Sequence, residues 1–383
     1  MSDQVKATIK EVFEDIATAL ETGEMGRRIK IGLTINGSEN GFEVMKEAAR
    51  IIRNEHLFDL VLIGEKQDFT DDFEFYEATC EKDVTDKLDA LIEDGTIQGA
   101  VTLHHPFPIG VSTVGRVIAP AFGKEIFIAT TTGTTATVRN EAMVLNAING
   151  IAAAKACGIS HPTVGILNVD GANAVERALR QLFEKGYDIN FAESARSDGG
   201  VILRGNDLIM GSADVVVCDT LTGNILMKLF GASQSGGNYE TSGYGYGPSI
   251  GDGYDRVINI VSRASGAPVI ANALRYCYQV AKGNVLEVAK KEYAEAKAAG
   301  LEEVRESLQP KATAVEEVKA PAKEVVTASL SGIDVLDLEE AVKALWKEGI
   351  YAESGMGCSG PVILVSDANE EKAKEVVKAA GFM

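Results

Sequence analysis

Apolar and polar positions alternate between two kinds of segment from Lys30 onward. Six short apolar runs have the length and composition of buried strands, and stretches with a helical pattern separate them. The runs are KIGLTI, FDLVLIG, GAVTLH, EIFIATTT, TVGILNV and DVVVCDT. Strands that alternate with helices, and that end in glycine-rich turns, predict an α/β fold in which a parallel sheet carries helices on both faces.

The segments before and after this region have different patterns. Residues 1–28 place apolar side chains at three- and four-residue steps, which predicts an N-terminal amphipathic helix. Residues 309–328 mix Pro, Ala, Lys and Glu without an apolar period, which predicts a linker. Residues 329–383 follow the order strand, helix, strand, turn, strand, helix, which predicts a small C-terminal α/β module. The large α/β domain is therefore expected over residues 29–308.

Composition and charge exclude several classes of partner. The 383-residue chain has 37 Lys and Arg against 56 Asp and Glu, a formal net charge of −19. Nucleic acids and anionic membrane surfaces both favour clustered positive charge, so neither is expected as the main partner. The N-terminus lacks the apolar core of a signal peptide, and nowhere do 18 apolar residues run together. We therefore expect a cytoplasmic protein.

The sequence predicts neither a nucleotide cofactor nor a bound metal. It contains no GxxxxGK[ST] motif and no GxGxxG between a strand and a helix, which disfavours a dehydrogenase. The five cysteines are odd in number and widely spaced, so neither a disulfide framework nor a CxxC metal site is indicated. Cys157, Cys218 and Cys277 lie in apolar patterns typical of packing residues.

Cys358 differs from those cysteines because small and polar residues surround it in the stretch AESGMGCSGPVIL. Glycines on both sides allow backbone conformations closed to other residues, and they leave room for a ligand. This setting suits an exposed nucleophilic thiol. It also suits an ordinary tight turn, since Gly and Ser are common in turns.

The stretch TTTGTTATVRN, Thr130–Asn140, leaves an apolar strand and reaches a predicted helix start at Arg139. In open α/β sheets ligands bind beyond the carboxyl ends of strands, and a helix N-terminus offers free N–H groups to an anion. The hydroxyl of Thr134 and the guanidinium of Arg139 therefore predict a phosphate cradle. A threonine-rich helix cap with Arg139 on the surface is the alternative.

The stretch ADVVVCDTLTGNILMKL, Ala213–Leu229, has a similar organisation. A buried strand ends at Asp219, a polar turn contains Thr222 and Asn224, and an amphipathic helix carrying Lys228 follows. These side chains are expected either to line a site or to cap the helix.

Two further stretches are open to a functional interpretation. His104 and His105 follow a strand in LHHPFPIG, where a structural hydrogen-bonding role is favoured over catalysis or metal binding. Residues 233–253 are rich in Gly, Ser and Tyr, which predicts either a functional lid or a solvated loop outside the core.

Three strings together carry a resemblance to a known family. HPTVGILNVDG, NDLIMGSADVV and DVVVCDTLTGNILMKL resemble, in the same order, strings of the phosphate acyltransferases of bacterial phospholipid synthesis. Those enzymes are similar in fold to phosphotransacetylases and isopropylmalate dehydrogenases. The resemblance covers about residues 30–282, and neither the N-terminal helix nor the cysteine-bearing tail belongs to it. With these additions the chain resembles the alpha subunits of component C of glycine reductase complexes from amino-acid-fermenting anaerobes.

This resemblance implies an acyl transfer to phosphate. A carboxymethyl group carried on selenium of a partner, selenoprotein A, becomes an acetyl thioester on component C, and inorganic phosphate releases it as acetyl phosphate. The implied partners are that selenoprotein, the beta subunit of component C and phosphate, within an oligomer. A thiolate suits such a role because a thioester keeps its acyl group activated.

The resemblance also implies roles for particular residues. Cys358 is expected to carry the acyl group and Asn224 to assist catalysis. The phosphate or acyl group is expected to contact six further residues, namely Thr134, Arg139, Asn168, Asp219, Thr222 and Lys228. Two alternatives stay open: an acyl-carrier-protein:phosphate acyltransferase, and a non-catalytic docking subunit.

Overall fold

The computed structural model describes residues 13, 16, 28–197, 199–309, 318–331, 333, 337–357 and 360–382. The predicted N-terminal helix lies outside the described residues except at Phe13, Ile16 and Arg28, and Cys358 also lies outside them. The chain divides into two compact units, Met1–Pro310 and Lys311–Met383. In the described parts of the chain, no helix combines the length and the apolar composition needed to cross a membrane.

One large sheet organises the described part of the first unit. Its twelve strands lie in the order β3-β2-β1-β4-β12-β11-β5-β6-β10-β7-β8, and β9 pairs with β7. Their bounds are β1 Lys30–Thr34, β2 Asp59–Gly64, β3 Glu74–Glu77, β4 Gly99–Thr102, β5 Val111–Ile118, β6 Glu125–Thr134, β7 Thr163–Leu167, β8 Asn190–Phe191, β9 Ile202–Leu203, β10 Val215–Val217, β11 Gly247–Gly251 and β12 Ile258–Ile260.

Helices cover both faces of this sheet. They are α1 Phe42–Glu55, α2 Glu81–Glu93, α3 Arg139–Ala156, α4 Ala172–Glu184, α5 Gly205–Met210, α6 Thr220–Ala232, α7 Ala267–Lys282, α8 Val285–Ala298 and α9 Leu301–Leu308, with short 3-10 turns at Thr70–Asp72 and Ser233–Ser235. Leu62 of β2 packs in the core that contains α1, α3 and α7, whereas the next residue, Ile63, packs in the core that contains α2 and α6. Because successive strand residues face opposite sides, two covered faces require continuous apolar runs. The predicted α/β fold with helices on both faces is confirmed.

The strand direction reverses in the middle of the sheet. The pairs among β1, β2, β3, β4 and β12 are parallel, and so are the pairs among β6, β7, β8, β9 and β10. Between these halves, β11 is antiparallel to β12 and β5, and β5 is antiparallel to β6. The short connections from β5 to β6 and from β11 to β12 leave no room for a parallel crossover. The two halves therefore present their carboxyl ends at opposite edges.

A central strand lies inside the segment that the sequence predicts to be a lid or a solvated loop. Tyr246 is buried, and β11 is buried along its whole length. Gly247 has a positive φ of 85°, and a Cβ there would collide with the carbonyl oxygen of Val114. Glycine is needed for this close approach, and it also gives the segment a loop-like composition. The loop prediction is therefore wrong for residues 246–251.

The second unit has its own small sheet and core. Strands β13 Ala328–Ser331, β14 Ala352–Gly357 and β15 Gly360–Val365 are antiparallel in the order β13-β15-β14, and helices α10 Leu338–Lys347 and α11 Glu370–Ala379 pack against them. A short 3-10 turn, Asp367–Asn369, precedes α11. This is the predicted order of elements. The strands β14 and β15 pair as far as Gly357 and Gly360, the described residues on either side of Cys358 and Ser359.

Part of the predicted linker packs within the second unit. Residues 310–317 lie outside the described chain, and residues 318–327 contain neither helix nor strand. Even so, the backbone N–H of Thr327 donates to the carbonyl of Val365, and the Ser366 hydroxyl donates to the Glu324 carboxylate at 2.9 Å. The ordered packing of the module thus begins a few residues before β13. The segment boundaries given above stay predictions.

Candidate functional site

Three helices begin where three neighbouring parallel strands end. Strands β6, β10 and β7 are adjacent and parallel, so their carboxyl ends share one edge of the sheet. The helices α3, α6 and α4 follow these strands in turn. The first N–H groups of a helix have no partner within the helix, so this edge concentrates free donors and positive helix-dipole ends. It has the general form of an anion-binding site.

Arg139, at the start of α3, connects the starts of the other two helices. Its guanidinium lies 3.0 Å from the carboxylate of Asp219, just before α6, and 3.3 Å from that of Asp170, just before α4. Thr222 completes the group by bonding to Asp219. We call Arg139, Asp170, Asp219 and Thr222 the Arg139 cluster.

Asp219 is held as an ionised N-cap. Its Oδ1 accepts the backbone N–H of Thr222 at 3.1 Å, and its Oδ2 accepts the Thr222 hydroxyl at 2.6 Å. Burial alone would raise the pKa of Asp219, but the hydrogen bonds from Thr222 and Arg139 outweigh burial and leave that pKa below its ordinary value. The helix-cap interpretation of Asp219 is therefore correct, and the same carboxylate also fixes Arg139.

The charge of the Arg139 cluster limits how it could bind an anion. One guanidinium faces two carboxylates, so an anion must displace one of them. Asp170 is the weaker partner, since its side chain is 62% exposed and its contact is the longer one. Rotation of Asp170 into solvent would free one side of the guanidinium, while Asp219 would still hold the other side.

The remaining predicted site residues lie at different distances from this cluster. Asn224 donates its side-chain N–H to the carbonyl of Thr131 on β6 at 3.2 Å. Thr134 is exposed at the end of β6, and Asn168 is exposed two residues before Asp170. Lys228 lies nine residues after Asp219, which places it about 13 Å farther along the helix axis. Its Nζ contacts the hydroxyl of Tyr246 at 3.3 Å.

A cavity that the sequence does not reveal adjoins the end of β6. Its volume is about 340 Å³, and we call it the His105 cavity. Its walls are Leu103, His104, His105, Phe107, Pro108, Ile109, Thr132, Gly133, Thr134 and Ile260. The segment between β4 and β5 forms one wall because β5 begins opposite Thr134, the last residue of β6.

The His105 cavity and the Arg139 cluster are neighbours. The hydroxyl of Thr220 donates to the carbonyl of Gly133 at 3.1 Å. Gly133 is part of the cavity wall, and Thr220 directly follows Asp219. Phe107 also packs in the core that contains α6, so cavity and helix lie on the same side of the sheet.

Three of the four described cysteines lack nucleophilic character. Cys218 and Cys277 are fully buried, and burial raises the pKa of both thiols. Burial likewise raises the pKa of Cys157 to about 12, although the positive charge of Arg116 partly opposes the shift. Since the thiolate is the reactive form, these cysteines are packing residues. Cys80 is exposed just before α2.

The described residues hold no group of three or more His, Cys, Asp or Glu side chains that could bind a metal ion. Besides the carboxylates of Asp170 and Asp219, the carboxyl edge of β6, β7 and β10 carries a guanidinium, hydroxyls, an amide and helix N-termini. These groups are donors, and donors recognise phosphate and carbonyl oxygens.

Comparison with known proteins identifies a family and a relative that matches over its full length. The family model described as "Fatty acid synthesis protein" matches residues 29–364. A protein of Peptoclostridium acidaminophilum, named "Glycine/sarcosine/betaine reductase complex component C subunit alpha", is 54% identical over 387 aligned residues, which cover 100% of both chains.

More distant relatives match part of the chain. A "Phosphate acyltransferase" of Thermotoga petrophila is 26% identical over 233 residues, covering 52% of this chain and 67% of its own. Among solved structures, a branched-chain phosphotransacylase from Enterococcus faecalis V583 aligns with a TM-score of 0.47 at 16% identity, covering 66% of this chain and 99% of its own.

Proposed function

The chain belongs to the family described as Fatty acid synthesis protein and, within it, to the component C alpha subunits of glycine/sarcosine/betaine reductase complexes, and from this membership we propose that it transfers an acyl group between a protein thiol and inorganic phosphate. The observation that carries this proposal is the full-length similarity to such a subunit, which extends over both units of the chain. The relatives named phosphate acyltransferases support phosphate as the acceptor.

We propose that Cys358 carries the acyl group as a thioester. The sequence around Cys358 is rich in glycine, which suits a thiol that must meet a partner, and burial disfavours the thiolate of Cys157, Cys218 and Cys277. In the transfer step, an oxygen of hydrogen phosphate attacks the thioester carbonyl carbon. The new C–O bond forms and the C–S bond breaks. The electron pair of the C–S bond leaves with sulfur, and the proton of hydrogen phosphate ends on that sulfur, giving acetyl phosphate and the free thiol.

We propose that phosphate binds at the carboxyl edge of β6, β7 and β10. Arg139 supplies a fixed positive charge there, and the N-termini of α3 and α6 add donors. We propose that Asn224 donates a hydrogen bond to the oxyanion of the tetrahedral intermediate. Its side-chain amide has two N–H donors, and the carbonyl of Thr131 accepts only one of them. We propose Thr134 and Asn168 as further residues that contact phosphate.

The other predicted residues receive less direct roles. Both donors of Thr222 bond to Asp219, so Thr222 acts by holding Asp219 and thereby Arg139. Lys228 lies too far along α6 to share a phosphate with Arg139, so we assign it to the acyl side of the site.

We further propose that the acyl group originates as a carboxymethyl group on selenium of a partner selenoprotein, and that the beta subunit of component C takes part in its conversion to the acetyl thioester. This conversion is assigned to the assembled complex in the cytoplasm and not to particular residues of this chain. The chain itself is proposed to hold the thioester and to complete the transfer to phosphate.

The reverse reaction gives a direct test. Purified chain is incubated with acetyl phosphate and the intact mass is measured. One hydroxylamine-labile acetyl group, mapped to Cys358, is the expected result. Cys358→Ala should abolish this adduct, and Cys80→Ala should leave it unchanged. No adduct in the native chain, alone or with its beta subunit, would overturn the proposal.

Two further measurements separate the alternatives. An acyl-carrier-protein:phosphate acyltransferase would form acyl phosphate from long-chain acyl-carrier-protein thioesters without needing Cys358. A docking subunit would support full complex activity as the Cys358→Ala variant. Phosphate-dependent loss of the acetyl adduct, together with loss of complex activity in Cys358→Ala, would exclude both.

A further inference from the structure

His105 is fixed in place by a carboxylate from a neighbouring helix. Its Nε2 lies 3.1 Å from Oδ1 of Asp89 on α2, and the imidazole is almost fully buried, with 6% of its side chain exposed. The same carboxylate oxygen lies 2.9 Å from the guanidinium of Arg256. An ionised carboxylate only accepts hydrogen bonds, so Nε2 carries the proton of the neutral imidazole.

The second nitrogen of His105 is left with an unused lone pair. Nδ1 is buried and has no hydrogen-bond partner among the described residues. The ring of Phe107 lies alongside, with the two ring centroids 5.1 Å apart, and offers no donor. A buried acceptor without a partner is uncommon in folded proteins, and it calls for a specific explanation. A bound group that donates a hydrogen bond to Nδ1 would provide one.

The position of His105 indicates what kind of ligand would donate this hydrogen bond to Nδ1. The imidazole is part of the wall of the His105 cavity, together with Thr132, Gly133 and Thr134 at the end of β6. Through Gly133 and Thr220 this wall adjoins the start of α6, which carries Asp219 and, through it, Arg139. A volume of about 340 Å³ is near the lower limit for ligand pockets. It therefore fits a small polar ligand better than a long acyl chain.

We propose that His105 is a catalytic residue that moves the proton during phosphate-dependent release of the acyl group, with Asp89 as its positioning residue. This inference rests on the proposed function and adds the proton carrier that the function needs. Nδ1 accepts the proton of hydrogen phosphate as the phosphate oxygen bonds to the carbonyl carbon. When the C–S bond breaks, Nδ1 gives that proton to the departing thiolate. The imidazole starts and ends neutral, so no further reactant is required.

The test uses the full chain acetylated with a small acetyl thioester, which avoids any need for phosphate during loading. Loss of the acetyl group is then followed by intact mass after addition of inorganic phosphate or, separately, of hydroxylamine. His105→Gln keeps a side-chain N–H for Asp89 but has no basic nitrogen. It should slow release by phosphate about 10²- to 10⁴-fold, the usual contribution of general acid–base catalysis. Release by hydroxylamine, a neutral nucleophile that brings its own proton acceptor, should stay within about twofold of the native chain.

Matched variants distinguish a proton carrier from a packing residue. His161→Ala removes an exposed histidine on the loop before β7 and should leave both rates unchanged. His105→Ala should regain at least about tenfold in phosphate-dependent release when free imidazole is added, because the cavity left behind admits that ring. Asp89→Asn should also slow release by phosphate, and imidazole should not restore it.

The outcomes separate this inference from the function on which it rests. If the native chain cannot be acetylated at Cys358 or does not respond to phosphate, the proposed function fails. If the native chain responds and His105→Gln responds at the same rate, the inference about His105 fails alone. It also fails if phosphate-dependent and hydroxylamine-dependent release fall together, or if imidazole does not rescue a folded His105→Ala chain.

Discussion

The Arg139 guanidinium and the Asp219 carboxylate, 80 positions apart in the sequence, form an ion pair in which Nη2 and Oδ2 lie 3.0 Å apart. The pair joins the beginning of α3 to the beginning of α6 at the carboxyl edge of the sheet. Asp219 also caps α6, so a single carboxylate fixes both the helix and the guanidinium. The positive charge is thus in position before any anion arrives, which lowers the cost of ordering it during binding.

Replacement of Arg139 should therefore weaken phosphate binding. Arg139→Ala is expected to raise the KM for phosphate about 10- to 100-fold, the range that one or two charge-assisted hydrogen bonds account for. Arg139→Lys should give an intermediate value, since lysine keeps the charge and loses the planar fork. The measurement is the phosphate dependence of release from the acetylated chain. Arg180→Ala, which removes an exposed arginine from α4, is the matched control. An unchanged KM in Arg139→Ala would remove Arg139 from the phosphate site.

A glycine in the first turn of α6 should be essential for seating that helix. A Cβ at Gly223 would collide with the carbonyl oxygen of Thr130, which is backbone and has little freedom to move. Gly223→Ala is expected to cost about 2–4 kcal/mol in the free energy of unfolding. Gly205→Ala at the start of α5 meets no atom within 4 Å and should change stability by less than about 1 kcal/mol. Urea unfolding followed by far-UV circular dichroism compares the two variants. Equal stability of the two variants would contradict the close packing of α6 on β6.

Sequence patterns predict the apolar parallel strands within each half of the sheet well. They miss the central strands β5, β11 and β12 and the short strands β3, β8 and β9 at or near the edges. The strands β1, β2, β4, β6, β7 and β10 coincide with the six apolar runs, because a strand covered on both faces must be continuously apolar. The strand β11 escapes prediction because it achieves close contact with β5 through glycines and a proline, Gly247 and Pro248 among them. Its composition is that of a loop, and its burial depends on neighbours far along the chain.

Parts of the candidate site are predictable for the same reason. Asp219 and Arg139 follow recognisable strands and begin helices, so local pattern alone places both of them at one edge of the sheet. The pairing of His105 with Asp89 has no local signature, since Asp89 lies in the middle of an amphipathic helix 16 residues earlier. A partner supplied by tertiary packing is visible only once the fold is known.

Thiol labelling should divide the cysteines by burial. Burial raises the pKa of Cys157 to about 12, so only about one part in 10⁵ of this thiol is ionised to thiolate at pH 7. A double variant that combines Cys80→Ala with Cys358→Ala keeps only Cys157, Cys218 and Cys277. While folded, it should resist modification by iodoacetamide at pH 7. The same chain in urea should react at three sites, which controls for the reagent. Rapid labelling of the folded double variant at Cys218 or Cys277 would contradict their burial.

Asp207 should make stability depend on pH in the acid range. Asp207 is 1% exposed, and its carboxylate accepts four hydrogen bonds. The donors are the Ser194 hydroxyl at 2.9 Å, the Ala195 N–H at 2.7 Å, the Arg204 N–H at 2.8 Å and the Ser212 hydroxyl at 3.0 Å. Burial raises the pKa of Asp207, but these bonds outweigh burial and lower it overall. The folded pKa is then below the unfolded one, so the stabilisation is complete above the unfolded pKa, about 3.9, and is lost as pH falls through the folded pKa.

Asp207→Asn should therefore lower the free energy of unfolding of the first unit by about 2–4 kcal/mol at pH 7. The amide NH₂ of asparagine is itself a donor, so it would face two of the four donors and leave them without an acceptor. The difference from the native chain should stay constant between pH 7 and about pH 5. It should shrink below about pH 4, because the carboxyl of the unfolded chain takes up a proton there while that of the folded chain stays ionised to lower pH. Asp86→Asn, at an exposed position on α2, is the control. Far-UV circular dichroism is the appropriate probe, since the single tryptophan, Trp346, belongs to the second unit and its fluorescence would report that unit instead. A difference that persists unchanged into strong acid would mean that the four hydrogen bonds do not depend on the charge of Asp207.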